Sequence, residues 1–245
     1  MSLTSIIIPN YNGANLLAGC IASIRQYTTV PFEIIVVDNG STDGSLSLCM
    51  REKVKFLSLP DNRGFPQACN LGLRMASGEE LVLLNNDTVV THGWLTHMQR
   101  CLRDDDSVGI VGPYTNYASG RQQVEPFYQT IDEMHASSAR QYAPDPSRWT
   151  SVDRLIGFCM LFPRALYDRI GELDERFSPG HYEDDDYCYR ARTAGYRLMI
   201  AGDAYVHHYG GSSFLTRDPG QLEALIERNR RLFTEKWGVD PRAFH

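Results

Sequence analysis

Apolar runs that stop abruptly at polar clusters recur along this chain. The β-branched run at 4–9 halts at a proline and passes into Asn10-Tyr11-Asn12-Gly13, a turn-forming tetrad. Leu16, Leu17, Cys20, Ile21 and Ile24 then fall at helical spacing, predicting a helix over 15–26 with one apolar face. A second strand over 32–37 is continuous Ile and Val without alternation, which suits a parallel strand covered on both faces. Strand, helix, strand in this order is a βαβ unit with a right-handed crossover. The rhythm continues with a strand over 54–59, a helix over 67–76 led by Pro66, a buried strand over 81–84 and a helix over 94–102. A strand over 108–112, a buried strand over 155–162 and a short helix over 164–170 ended by Gly171 come next. A helix from 183 to about 194, strands over 196–200 and 204–206, and a last helix over 222–237 complete the pattern. The fold class is therefore α/β, with a mostly parallel central sheet and helices on both faces.

Residues 113–150 break the rhythm: they are richer in Tyr, Gln, Pro and Arg, with one short helix opened by the capping box Thr130-x-x-Glu133. Substrate-facing loops are expected there. The 245 residues, 42% hydrophobic and 22% charged, suit one large α/β domain or two small ones. A formal charge of -6 argues against a nucleic-acid-binding face, so any bound phosphate is expected to come with a cation. No apolar run approaches the ~20 residues of a membrane span, and no basic leader opens the chain. A cytoplasmic protein, at most peripheral to the inner face of a membrane, is expected. The six cysteines are dispersed without a C-x-x-C pair and read as reduced core thiols.

Chemistry concentrates at strand ends. Leu81-Val82-Leu83-Leu84 stops at Asn85-Asn86-Asp87, and open α/β sheets bind ligands beyond the carboxyl ends of their strands. Asp87 is thus a candidate for a metal or phosphate site, although the triplet also serves as plain turn chemistry. Asp38 at the tip of the second strand could accept a hydrogen bond from a base or ribose, or simply cap a turn, a role that Asp43 fits better. Arg63 coincides with a helix N-terminus, a pairing that can hold a diphosphate, or it is a solvated loop residue. Glu183-Asp184-Asp185-Asp186 opens a helix, where the dipole favours carboxylates and Asp186 can pair with Arg190. That leaves unexplained why four consecutive acids tolerate their mutual repulsion; a general base near a cation would explain it. His207-His208 could offer a nitrogen ligand to a metal or be surface histidines. Asp104-Asp105-Asp106 lacks a strand leading in and reads as a solvated loop. No G-x-G-x-x-G follows the first strand, so a dinucleotide site is not supported.

The order of these motifs resembles the inverting family 2 glycosyltransferases of GT-A fold, particularly their rhamnosyltransferase-like branch. The carrying residues are Ile8-Pro9-Asn10-Tyr11-Asn12, Val37 to Ser45, Asn62-Arg63-Gly64-Phe65, Leu84-Asn85-Asn86-Asp87, Glu183 to Asp186 and His208 to Ser213. The resemblance implies a single domain: a nucleotide-sugar half over about 1–112, an acceptor and catalytic half over about 113–215, and a helical segment over about 216–245. It implies that Asp87 binds Mn²⁺ or Mg²⁺ at the place of the family's D-x-D motif, with Asn85 standing for the first acid. Pro9, Asn10, Tyr11, Asp38 and Asn39 would then lie against the nucleoside, and Arg63, Gly64, Asn85 and Asn86 near the phosphates. Glu183-Asp184 matches the motif that carries the general base, assigned to Asp184, and His208 matches a histidine that joins the metal, with His207 as the alternative. The partners implied are a nucleoside-diphosphate sugar and a glycan, lipid-linked or protein-linked acceptor. Two other readings stand beside this one: a sugar-phosphate nucleotidyltransferase, which would be expected to carry a basic Gly-rich loop absent from 10–15, and a nucleotide-sugar-binding module without turnover. The last helix either packs on the domain or forms a homodimer contact.

Overall fold

A computed structural model describes residues 2–210 and 219–244. The first half is β1 (Thr4–Asn10), α1 (Ala14–Tyr27), β2 (Phe32–Asp38), α2 (Ser45–Glu52), β3 (Lys55–Ser58), α3 (Phe65–Met75) and β4 (Glu80–Leu84). Its strands are all parallel, in the order β3-β2-β1-β4. Both faces are covered, and β1 shows how: Ile6 and Ile8 join a core under α1, whereas Ile7 joins a core under α3. From α1, Leu17, Cys20, Ile21 and Ile24 are fully buried, each large side chain contributing about 1.5–3 kcal/mol. Helix α2 was not among the expected elements; only Ser45, Leu48 and Cys49 of its eight residues are buried, too short a stripe to stand out by periodicity.

The second half adds β5 (Thr88–Val90), α4 (Trp94–Leu102), β6 (Val108–Tyr114), α5 (Ile131–Gln141), β7 (Trp149–Val152), β8 (Cys159–Pro163) and α6 (Arg164–Ile170). It closes with α7 (Glu183–Thr193), β9 (Arg197–His208) and α8 (Pro219–Trp237). Here the sheet becomes mixed, since β8 runs antiparallel between β4 and β6, and β9 pairs in parallel with β6 and antiparallel with β5 and β7. The full order is β3-β2-β1-β4-β8-β6-β9-β5, with β7 on β9. The strand expected over 155–162 begins only at Cys159. The two strands expected over 196–206 are one. At their supposed gap Gly202 lets the backbone of Arg148 approach, to 2.4 Å from where a Cβ would sit, and Asp203 is buried as acceptor for Trp149 Nε1 and the Asp145 amide.

Thr130 caps α5 by accepting from the Glu133 amide, and Glu133 reaches back to the Gln129 amide. All six cysteines are free and buried, and burial raises the Cys20 and Cys101 thiols to about 12. The apolar stripe of α8 is taken up within the chain, with Phe233 fully buried and in edge contact with Tyr189 of α7. Among the described residues no helix is long and apolar enough to cross a membrane.

Candidate active site

The carboxyl ends of β1, β2 and β4 meet in a hydrogen-bonded lattice of short polar side chains. Asn86 donates to Asn10 Oδ1 at 2.7 Å, and Asn10 Nδ2 donates to Asp38 at 3.1 Å and to Ser45 at 2.9 Å. Asp38 has no exposed surface, and its second oxygen accepts from the Ser41 amide at 3.1 Å. Asn39 accepts from the Arg63 amide at 2.9 Å and donates to Asn62 and to the Gly64 carbonyl. Asn10, Asp38, Asn39 and Asn86 are buried and brace the strand-tip loops, and Pro9 is buried inside β1. Tyr11 is 40% exposed at the same edge, and the exposed Arg63 side chain is held by Asp61 at 2.7 Å.

Beyond β4 the chain turns, and Asp87 comes to face β9. His208 Nε2 lies 3.2 Å from Asp87 Oδ1 and 3.5 Å from Asn85 Nδ2. His208 Nδ1 is 2.9 Å from the Tyr117 carbonyl, which can only accept, so Nδ1 carries the proton. In the neutral ring Nε2 then presents a lone pair to a carboxylate, an arrangement that a shared proton or cation relieves. Asn116 brackets the His208 backbone with two hydrogen bonds, and Phe158 stacks on the ring at 5.1 Å between centroids. His207 points away: its Nδ1 is 2.5 Å from Tyr128 Oη, and burial beside His208 lowers its pKa to about 4. Asn85 Oδ1 is buried without a hydrogen-bond partner. Two protein ligands plus this amide oxygen fit Mg²⁺ or Mn²⁺, hard cations that draw their remaining ligands from phosphates and water. Among the described residues no group of three His, Cys, Asp or Glu side chains forms a closed metal cage. The Gly211-x-Ser213 run that follows lies outside the described residues.

Across the cavity, α7 starts after two residues in the left-handed region, His181 (φ 74) and Tyr182 (φ 71). Such a backbone costs of order 1–3 kcal/mol per residue and persists only when its surroundings hold it. Asn229 of α8 does so, donating to the carbonyls of Phe177, Gly180 and His181. The four acids then diverge. Asp184 accepts the Gly157 amide on one oxygen and the Asp185 amide on the other, both at 2.9 Å. Asp185 pairs with Arg154 at 2.6 Å. Asp186 is fully buried and bound by Arg190, Lys236 and Trp237. Burial, with the Asp184 charge adding, raises the Glu183 carboxyl well above the usual range, and its Oε2 has no hydrogen-bond partner. Asn85, His208, Glu183, Asp184 and Asp185 all line one cavity of about 510 Å³, whereas Tyr11, Asp38 and Arg63 lie outside it. Sequence reasoning missed Arg154, Gly157 and Tyr117, loop residues whose partners lie 27 to 91 positions away and which carry no local pattern.

The profile of glycosyl transferase family 2 matches residues 5–171, more than half of the chain. The chain belongs to this family. Among relatives, the glycosyltransferase GlyG of Streptococcus pneumoniae serotype 4 is 31% identical over 120 residues, 47% of this chain and 40% of GlyG. An uncharacterized glycosyltransferase of Rickettsia prowazekii is 30% identical over 185 residues, 74% of this chain and 57% of that protein. This family 2 glycosyltransferase thus spans roughly half the length of these two relatives. Its fold is the GT-A fold. A mannosyltransferase from Pyrobaculum calidifontis, solved with GDP-Man and Mn²⁺, superposes with a TM-score of 0.63 at 21% identity, covering 84% of this chain and 56% of that one. GalNAc-T7, solved with UDP, GalNAc and Mn²⁺, superposes with a TM-score of 0.68 at 17% identity, covering 85% of this chain and 44% of that one. Family membership favours glycosyl transfer over the nucleotidyl-transfer alternative.

Proposed function

We propose that this glycosyltransferase moves a sugar from a UDP- or dTDP-linked donor to a hydroxyl of a glycan, lipid-linked or protein-linked acceptor, with inversion at the anomeric carbon. The observation that carries this reading is one cavity lined both by Asp184 and by the Asn85–His208 pair, with Asp87 3.2 Å from His208. Asp87, His208 and the Asn85 oxygen would hold a divalent cation. Mn²⁺ or Mg²⁺, when bound, supplies positive charge where the leaving diphosphate gains negative charge. The presence of Mn²⁺ with a nucleotide or nucleotide sugar in both solved neighbours supports this assignment.

Elimination within the acidic turn supports Asp184 as the base. Burial favours the protonated form of Glu183, Asp185 is neutralised by Arg154, and Asp186 is locked among Arg190, Lys236 and Trp237. The two backbone bonds to Asp184 fix the plane of its carboxylate, and each oxygen retains acceptor capacity for an incoming hydroxyl proton. A deprotonated acceptor oxygen attacks the anomeric carbon from the face opposite the leaving group, so the configuration inverts and no enzyme nucleophile takes part. The first half holds the donor in this reading, and residues from 113 onward frame the acceptor.

Asp184→Asn should reduce hydrolysis of, and transfer from, a panel of UDP- and dTDP-sugars by about 10²- to 10⁴-fold while donor binding with Mn²⁺ persists by calorimetry. Transfer at the wild-type rate by this variant overturns the base assignment. Asp87→Ala should weaken the Mn²⁺ dependence of donor binding by at least about tenfold. Equal Mn²⁺ titrations for the two proteins would remove Asp87 from the cation site.

A further inference from the structure

A second cavity of about 400 Å³ adjoins the first, and Ser119 and Arg154 line both. Arg154 belongs to both: its Nε holds Asp185 at 2.6 Å and its NH1 donates to Ser119 Oγ at 3.3 Å. The second cavity is also lined by the exposed Arg121, whose only hydrogen bond among the described residues is a long one of 3.5 Å to the Ser151 carbonyl. The other charges here are matched, Arg154 by Asp185 and Asp153 by Arg192 at 2.9 Å. Arg121 has no ion-pair partner among the described residues, so the cavity carries one uncompensated guanidinium.

We propose that this cavity is a distal acceptor subsite, and that Arg121 selects acceptors bearing a carboxylate or phosphate beyond the attacked hydroxyl. The inference rests on Asp184 receiving the acceptor hydroxyl. With the donor against Asn85 and His208, the remainder of an acceptor would extend toward Ser119 and Arg154, the residues that the two cavities share. A guanidinium there can engage two oxygens of one anion in parallel, a geometry that a neutral sugar does not match.

The test measures binding, so it does not need the natural acceptor. With the full chain saturated by UDP and Mn²⁺, affinities are compared for three probes: methyl β-D-glucuronide, methyl β-D-glucoside 6-phosphate and methyl β-D-glucoside. One or both anionic probes should bind about tenfold more tightly than the neutral one. Arg121→Glu should abolish that preference and Arg121→Lys should retain part of it; both substitutions sit on an exposed side chain, and thermal melts report their folding. Preference for the carboxylate alone or the phosphate alone supports the subsite and names its anion. Equal affinity for all three probes, or a preference that survives Arg121→Glu, overturns it. The preceding titration with UDP and Mn²⁺ reads the donor site separately, so its failure counts against the donor reading while the anion preference keeps its own result.

Discussion

Glu183 is buried in the cavity wall with one carboxylate oxygen lacking a hydrogen-bond partner, and burial beside Asp184 raises its pKa above the unfolded value of 4.5. Above that value the unfolded chain releases this proton first, so the native state binds more protons and its stability declines as pH rises toward the folded pKa. Glu183→Gln should flatten this decline, seen as a urea midpoint that falls less than that of the wild type between about pH 5 and about pH 8. An identical pH dependence in the two proteins would mean that Glu183 ionises as readily in the fold as outside it. The location of this acidic turn was legible because repulsion among four neighbouring acids calls for compensation. The separate partners of each acid were not legible, because Arg154, Lys236 and Gly157 come from distant loops and a distant helix. Asp38 and Asn10 show the opposite limit: polar residues at strand tips look open to a ligand in sequence, yet here they satisfy one another.

At the scale of elements, the loop 62–65 and the loop 178–182 are joined back to back. Gly64 has φ 90, and a Cβ there would lie 2.9 Å from Pro179 Cα, while the Phe65 amide donates to the Pro179 carbonyl at 3.0 Å. Gly64→Ala should cost about 1–3 kcal/mol, read from thermal or urea unfolding. An unchanged melt would show that the two loops part easily. Asp186→Ala should cost about 3 kcal/mol, because Arg190 and Lys236 would lose the buried charge that both contact, and the loss should appear as a lower urea midpoint. Elements with long apolar runs or clear stripes were readable from the chain, as β1, β2, β4, α1 and α4 show. The short α2, β5 and β7 were not, since α2 buries only three of its residues, β5 has only three in all and β7 holds no apolar run. The long β9 was split because buried Asp203 interrupts its apolar run, although two hydrogen bonds satisfy that carboxylate.

For the whole molecule, the sheet changes from parallel to mixed where the first half meets the second, and the cavity lies along that seam. Its side along the parallel half follows from sequence, because strands that end in polar residues point to one edge of a parallel sheet. Its other side needs β8, β9 and two loops brought together from positions far apart, which no local pattern announces. Asn229 holds the left-handed turn at His181 and Tyr182, and Lys236 and Trp237 join Arg190 on Asp186, so the acidic turn draws part of its support from the last helix. Domains generally fold as units, and a unit is complete only when its last packed element has been synthesised. A nascent chain that has displayed every strand of its sheet thus still lacks Asn229, Lys236 and Trp237, and these braces of the acidic turn arrive only when residue 237 has emerged.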